Sequence, residues 1–331
     1  MTVNDPVTAD APGTGDARRA GVARPSPPRR PSPPRRRRGA TAGGAAVWLL
    51  APGGLLTLTV IVVPFVVALV MSLLDLDQYT FRQWLSAPFV GAGNYVEAVG
   101  RTSLPHAIWV SGSAAVIATL LALPLGVVAA LTTHLPFRGR SLIRSLYLIP
   151  YVLPAFVVGT IWRIILQPDG VANQGLATLG IAGGLWLNGP KSYLALIVVQ
   201  AWSGWPLVYL LALAGLQGID DSLHEAAALD GAQWGAKLRH VILPLLRPPV
   251  ALAAIISLLH MVNSFTLPFV LFGVPSPHDV EVLPVLTYVE SFQNLRFGLS
   301  AAMAVISLAL ILVPLLVYLR TVRLDAPEAA A

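Results

Sequence analysis

An all-α fold, a polytopic membrane helix bundle with six transmembrane helices, is what three observations predict. Hydrophobic residues make up 55% of the chain, charged residues only 11%, and mean hydropathy is +0.70. A soluble domain of this length has no core large enough to bury that much apolar side chain. Six apolar runs lie near residues 45–74, 106–132, 145–167, 191–217, 248–273 and 298–319. Each is long enough to cross about 30 Å of hydrocarbon at about 1.5 Å per helical residue. Between the fourth and fifth runs stands a polar island, Glu225 to Pro244, with the sequence EAAALDGAQWGAKLRHVILP.

The residues ahead of the first run are different in kind. Residues 1–43 hold nine arginines and end in PSPPRRPSPPRRRRGA. They have too few apolar side chains to offset the entropy of ordering, so they are predicted to be a disordered basic tail. The formal charge of +6 resides there, since the remainder carries thirteen basic and thirteen acidic side chains. A neutral body argues against nucleic acid as a partner. It favours a topogenic role in which Arg35 to Arg38 hold the start of the first run at the cytoplasmic face, near anionic lipid. The run itself exceeds the apolar segment of a cleaved signal peptide and offers no convincing cleavage site, so it is expected to remain as an anchor.

Charge fixes the orientation of the spans. With the N-terminus inside, the tail, Arg138, Arg140, Arg144, Lys237, Arg239, Arg247, Arg320 and Arg323 are cytoplasmic, and only Arg82, Arg101, Arg163, Lys191 and Arg296 fall outside. The expected organisation is a permeation domain over residues 44–323, set in the cell membrane with both termini cytoplasmic, and a short C-terminal tail at 324–331. Pro64, Pro124, Gly126, Pro150, Pro154, Pro206 and Pro268 interrupt the apolar runs. In lipid such breaks need neighbouring groups to satisfy the freed backbone, which predicts a bundle around a path or cavity. The chain has no cysteine, which excludes disulfides, thiol catalysis and thiolate metal sites.

The island reads as helix, sharp bend, helix. Ser222 is placed to cap the first piece with Glu225 as its capping-box partner, and Ala226, Ala227, Ala228 and Leu229 are strong helix formers. Gly231 ends that piece, a second runs from Ala232 to about His240, and Pro244 is expected to close the segment. Glu225, Ala226, Ala227, Gly231, Val241, Leu243 and Pro244 match the EAA motif of ABC importer permeases at every position of its spacing. The chain therefore resembles that family over about residues 45–323. The resemblance implies that residues 222–244 form a cytoplasmic coupling helix and its brace, with Glu225, Ala226, Ala227, Asp230, Gly231, Leu243 and Pro244 contacting or positioning a separate ATPase. It also implies pairing with a second homologous permease, docking on a dimeric ABC ATPase, and delivery of solute by an extracytoplasmic binding protein. A capping-box carboxylate and a helix-ending glycine would each explain Glu225 and Gly231 singly; the full pattern on the side that the charges make cytoplasmic favours coupling.

Two outer segments extend the resemblance to carbohydrate-type permeases, in particular the first permease of maltose and glycerol-phosphate systems. These are FVGAGNY at 89–95 and QPDGVANQGL at 167–176. Phe265 and the stretch from Gly273 to Pro275 fall where those permeases have Phe-Asp and Gly-Gly-Pro, with Thr266 in place of the acid and Val274 in place of the second glycine.

Motifs for chemistry are missing. The sequence has no Walker A pattern, nucleophile elbow, HExxH or carboxylate pair, so this chain is expected to bind no cofactor or metal and to leave ATP and magnesium to the partner ATPase. A secondary transporter, the rival from another class, generally carries membrane-embedded acids, and no Asp or Glu lies deep in a span. A permease for polyamine, phosphate or sulfate is the other alternative. Residues suited to a sugar, amides and hydroxyls beside flat aromatic faces, are Gln200, Trp202, Ser203, Trp205 and Tyr209 in the fourth span and Asn263, Ser264 and Thr266 in the fifth. His260, in the fifth span, reads as an interhelical hydrogen bond. The whole solute site could equally reside in the partner permease.

Overall fold

The structure, a computed structural model, describes residues 42–324. The expected basic tail at 1–43, save its last two residues, and the C-terminal residues 325–331 lie outside the described residues. The described residues are mostly helical, and the isolated bridge between Leu74 and Phe89 is the only β-pairing among them. Its elements are α1 (Ala42–Thr57), α2 (Val63–Met71), α3 (Gly93–Arg101), α4 (Leu104–His134), α5 (Arg140–Val152), α6 (Ala155–Ile165) and α7 (Val171–Thr178). There follow α8 (Ser192–Gln217), α9 (Asp221–Leu229), α10 (Trp234–Lys237), α11 (Leu243–Val262), α12 (Thr266–Phe272), α13 (Leu283–Tyr288) and α14 (Phe297–Leu324). Five helical stretches are long and apolar enough to cross a membrane, or six if the bent pair α5 and α6 counts as one span.

The centre of the bundle is the pair α4 and α8, with α11 against both. Alanines 107, 114, 115, 118, 122, 129 and 130 line the buried face of α4. Without bulky side chains there, two backbones can approach closely, which is how membrane helices gain packing when lipid gives no hydrophobic drive between them. Gly126 is the tightest point, since a Cβ there would lie 2.7 Å from the backbone nitrogen of Tyr209. One end of the bundle gathers Ala129, Ala130, Leu213, Leu216, Ile242 and Leu246, so the connections at 133–144 and 218–247 share that end. We call it the basic end, after Arg138, Arg140, Arg144, Lys237 and Arg239. The opposite end gathers Ala98, Leu104, Leu283, Leu286, Leu299 and Met303.

Two spans differ from expectation. The third, read as one helix over 145–167, is two helices bent by 93° at Leu153 and Pro154. Proline has no N–H for the helical ladder and drives the residue before it out of the helical region; Leu153 is accordingly extended, at φ −67° and ψ 134°. The fifth, read as 248–273, begins much earlier, at Trp234, and ends at Val262. Pro244 does not close the island. It sits in the first turn of α11, just after a π turn at Leu238–Ile242 in which Leu243 N donates to Leu238 O, so the ladder is already offset where the prolyl N–H is missing. The chain leaves the helix at Asn263 and restarts as α12, which places Pro268 in a first turn, where no N–H is needed.

At the opposite end, FVGAGNY has a structural task. Asn94, 7% exposed, donates through Nδ2 to Ser72 O and Leu74 O, both at 2.9 Å. The amide thereby satisfies carbonyls that the end of α2 leaves without helical partners.

Candidate functional site

The island forms a projecting elbow. Asp220, not Ser222, is the N-cap of α9: its Oδ1 accepts from Ser222 N at 2.8 Å. That hydrogen bond holds the Asp220 carboxyl below the usual carboxylate range. A carboxylate with a lowered pKa helps the folded state at neutral pH and loses that effect only as pH falls through the lowered value, so the cap is in place under physiological conditions. The capping-box reading of Glu225 is thereby corrected. With Asp220 as cap, the third helical position is Leu223 and Glu225 stands two further on, too far along to reach back. Its carboxylate is exposed and has no partner among the described residues.

The helix ends in a Schellman motif. Gly231 takes φ +71°, its N–H donates to Ala228 O at 3.1 Å, and Ala232 N donates to Ala227 O at 3.0 Å. Asp230 is the C-cap residue and is exposed. Ala226 is exposed and Ala227 is buried. Two large apolar side chains flank the bend in the open, Leu229 at 90% and Trp234 at 62% exposure. Leu243 and Pro244 belong to the membrane helix behind the elbow, with Leu243 exposed and Pro244 half-buried.

The residues predicted to line a solute path separate into five places. Gln200, Ser203 and Ser264 meet in one cavity of about 370 Å3, together with Ser257, His260 and Tyr151, which sequence reasoning left out of the path. Its walls come from the two helix breaks: Pro150, Leu153, Ala155 and Val158 around the bend of α5 and α6, and Ser264 and Leu267 at the start of α12. Irregular backbone in a membrane bundle is tolerated where it lines a cavity, and discontinuous helices are where transporters build sites. Gln200 Oε1 and Ser257 Oγ are buried without a hydrogen-bond partner, on side chains 4% and 2% exposed. His260 is exposed to the cavity and makes no hydrogen bond among the described residues, so its reading as an interhelical bond is not met.

Trp202 and Trp205 lie on another face of α8, in an apolar groove of about 630 Å3 with Leu121, Leu125 and Tyr147. Tyr209 is 1% exposed and accepts from Thr133 Oγ1 at 3.3 Å, with the Tyr147 ring edge-on at 5.6 Å; it is a core residue. Asn263 gives its Nδ2 to Leu259 O and borders a separate groove with Phe265, Tyr288 and Phe297. Thr266 begins α12 and is exposed outside the cavity. Periodicity held the missing signal: positions 200, 203, 204 and 207 share one helix face at spacings of three, four and seven, and 257, 260 and 261 share another at spacings of three and four.

Known proteins share this architecture. The family described as binding-protein-dependent transport system inner membrane component matches residues 122–323. The trehalose/maltose transport system permease protein MalF of Thermococcus litoralis is 29% identical over 239 residues, 71% of this chain and 80% of its own length. The sulfoquinovosyl glycerol transport system permease protein SmoG of Agrobacterium fabrum is 31% identical over 284 residues, 84% and 90% of the two chains. Among solved structures, a bacterial ABC transporter involved in the import of the acidic polysaccharide alginate superposes with a TM-score of 0.72 at 20% identity, covering 86% of this chain and 98% of that one. A polytopic helical bundle with a projecting elbow on its basic end, matched by the family over most of its length, is a permease subunit of an ABC importer, and the chain belongs to the binding-protein-dependent transport system inner membrane components.

Proposed function

We propose that this subunit carries a neutral, polyhydroxylated solute of the sugar class through the cavity at Gln200, driven by ATP hydrolysis on a separate dimeric ATPase that receives α9 and the Gly231 bend. The observation that carries the solute class is the lining of that cavity. Gln200, Ser203, Ser257 and Ser264 offer amide and hydroxyl groups, two of them buried and unpaired, and among the described residues no Asp, Glu, Lys or Arg borders the space. A buried polar atom without a partner costs about 1–3 kcal/mol, so such atoms persist where a ligand satisfies them. A polyamine would call for carboxylates, and phosphate or sulfate for arginine or backbone N–H clusters. The relatives that carry trehalose or maltose and sulfoquinovosyl glycerol support the sugar class. Uptake by the importer reconstituted from this chain, a second permease, the ATPase and the binding protein tests it. Competition by mono- or disaccharides with none by spermidine, phosphate or sulfate is the expected result, and the reverse pattern refutes the reading.

The same proposal places the basic end in the cytoplasm, with both termini there, and leaves this chain without an ATPase site of its own. Ser222 is exposed at the start of α9, and the absence of native cysteine makes a single Ser222→Cys an unambiguous reporter. An impermeant maleimide is expected to leave it unlabelled in intact cells and to label it in inside-out vesicles. Labelling in intact cells would invert the topology and remove the coupling assignment with it.

A further inference from the structure

At the end opposite the elbow, two histidines from distant parts of the chain lie face to face. The rings of His106, in the first turn of α4, and His278, in the loop from Gly273 to Val282 that joins α12 to α13, are 3.8 Å apart and 8° from parallel. His106 Nε2 also lies 2.9 Å from His278 O, a carbonyl that can only accept, so Nε2 carries a proton and donates. A second tie follows in the same strip of chain, where Leu283 N donates to the buried Ser111 Oγ at 2.7 Å. Of the two ties only the first is made by a group that can take up a further proton.

We propose that the stacked His106 and His278 imidazoles form a proton-sensitive latch, which holds the loop of residues 273–282 against the start of α4 at neutral pH and releases it on acidification of the medium bathing that end. The stack tolerates at most one charge. Once both rings are protonated, two like charges about 4 Å apart in a watery setting repel by enough to shift a closed-to-open equilibrium about fivefold. The open state binds the second proton more readily, so lower pH favours opening. The charged and titratable side chains on the elements around the latch are Asp279 and Glu281 on the loop itself, Glu97 and Arg101 on α3, with Glu97 paired to Arg296 just before α14, and Lys191 and Tyr193 at the start of α8. Lys191 is committed to Gly183 O and the Trp186 ring, and Tyr193 donates to Ser113 Oγ; the counter-charges in the loop are the carboxylates of Asp279 and Glu281, and among the described residues neither is hydrogen-bonded or ion-paired to either ring. The loop leads directly out of α12, whose first turn borders the cavity at Gln200 and which packs on α6, held there by Arg163 Nη1 donating to Val270 O. Release would therefore loosen the cover over the side of the bundle from which solute arrives in the proposed topology.

The test uses the full-length chain in lipid nanodiscs with spin labels on Gly100→Cys, where an added side chain meets open space, and on the exposed Asp279→Cys. The distance distribution is expected to be single at about pH 7.5 and to gain a longer component, severalfold more populated, at about pH 5.5. In a His278→Phe background the stack and the backbone hydrogen bond survive while the second charge cannot form, so the single short distance should persist at both values. An unchanged distribution in the parent across the range, or the same acid-induced component in His278→Phe, would overturn the latch.

Discussion

Glu225→Ala and Gly231→Val are each expected to give a subunit that inserts, assembles with the second permease, and supports almost no transport and little solute-stimulated ATP hydrolysis. For Glu225 the reasoning starts from its freedom. Asp220 caps α9, so the Glu225 carboxylate has no structural duty in the fold and stands exposed beside Leu229 and Trp234. In a partner's cleft it would be desolvated against a basic group, and removing one member of such a pair costs about 2–5 kcal/mol. At about 1.4 kcal/mol per decade, docking would weaken more than tenfold. Gly231 acts through geometry. A Cβ there meets open space, so the cost is not steric crowding but the φ of +71°, worth about 1–2 kcal/mol for an L-residue and more for a β-branched one. Relief of that strain redirects α10 relative to α9 and moves the elbow off its partner. Hydrolysis by the reconstituted complex with and without loaded binding protein reads both effects. Normal stimulation in both variants at normal assembly would show that the elbow does not couple.

The elbow was legible because its determinants are local. Alanine-rich propensity, a glycine at the turn and a fixed spacing act over a few residues, and the polar run contrasts with everything around it. The cap was misassigned by two positions for an equally local reason: Asp220, Asp221 and Ser222 can all cap, and the chain used the first of them. The helix breaks were not legible in the same way. Pro124, Pro206 and Pro314 lie inside the unbroken helices α4, α8 and α14, whereas Pro154 splits a span and Pro268 sits in the first turn of the short α12. What separates these cases is tertiary. Beyond the Pro154 break, α6 lies on α12 with Gly159 against Val270, so close that an added Cβ would sit 3.0 Å from the Val270 side chain. A hydropathy window averages across such a break, because apolar residues continue on both sides of it. The solute face suffered from neighbourhood in sequence: Gln200 and Trp202 are two residues apart yet line different spaces, and helical phase was the information that separates them.

Gln200→Leu is expected to abolish most transport while leaving the complex as stable as the parent or more so, and this opposition of signs makes it the sharpest test of the cavity. Gln200 is 4% exposed and its Oε1 has no partner, so the apo protein bears an unsatisfied acceptor at about 1–3 kcal/mol that a leucine of similar volume removes. In the loaded state the same substitution denies a solute hydroxyl its acceptor inside a closed space, again about 1–3 kcal/mol, or roughly tenfold to a hundredfold in affinity for the translocating state. Coupling should be untouched, since the elbow lies at the basic end and Gln200 in the middle of α8. The variant is therefore expected to keep binding-protein-stimulated ATP hydrolysis, the property that the Glu225 and Gly231 variants lose. Ser257→Ala should behave alike with a smaller loss, because the hydroxyl is shorter and offers one donor where the amide offers two. If Gln200 were instead part of the packing, Leu would lower the unfolding temperature and transport would fall only in proportion to abundance. Parental uptake by Gln200→Leu at parental abundance would remove this cavity from the solute path and return the site to the partner permease.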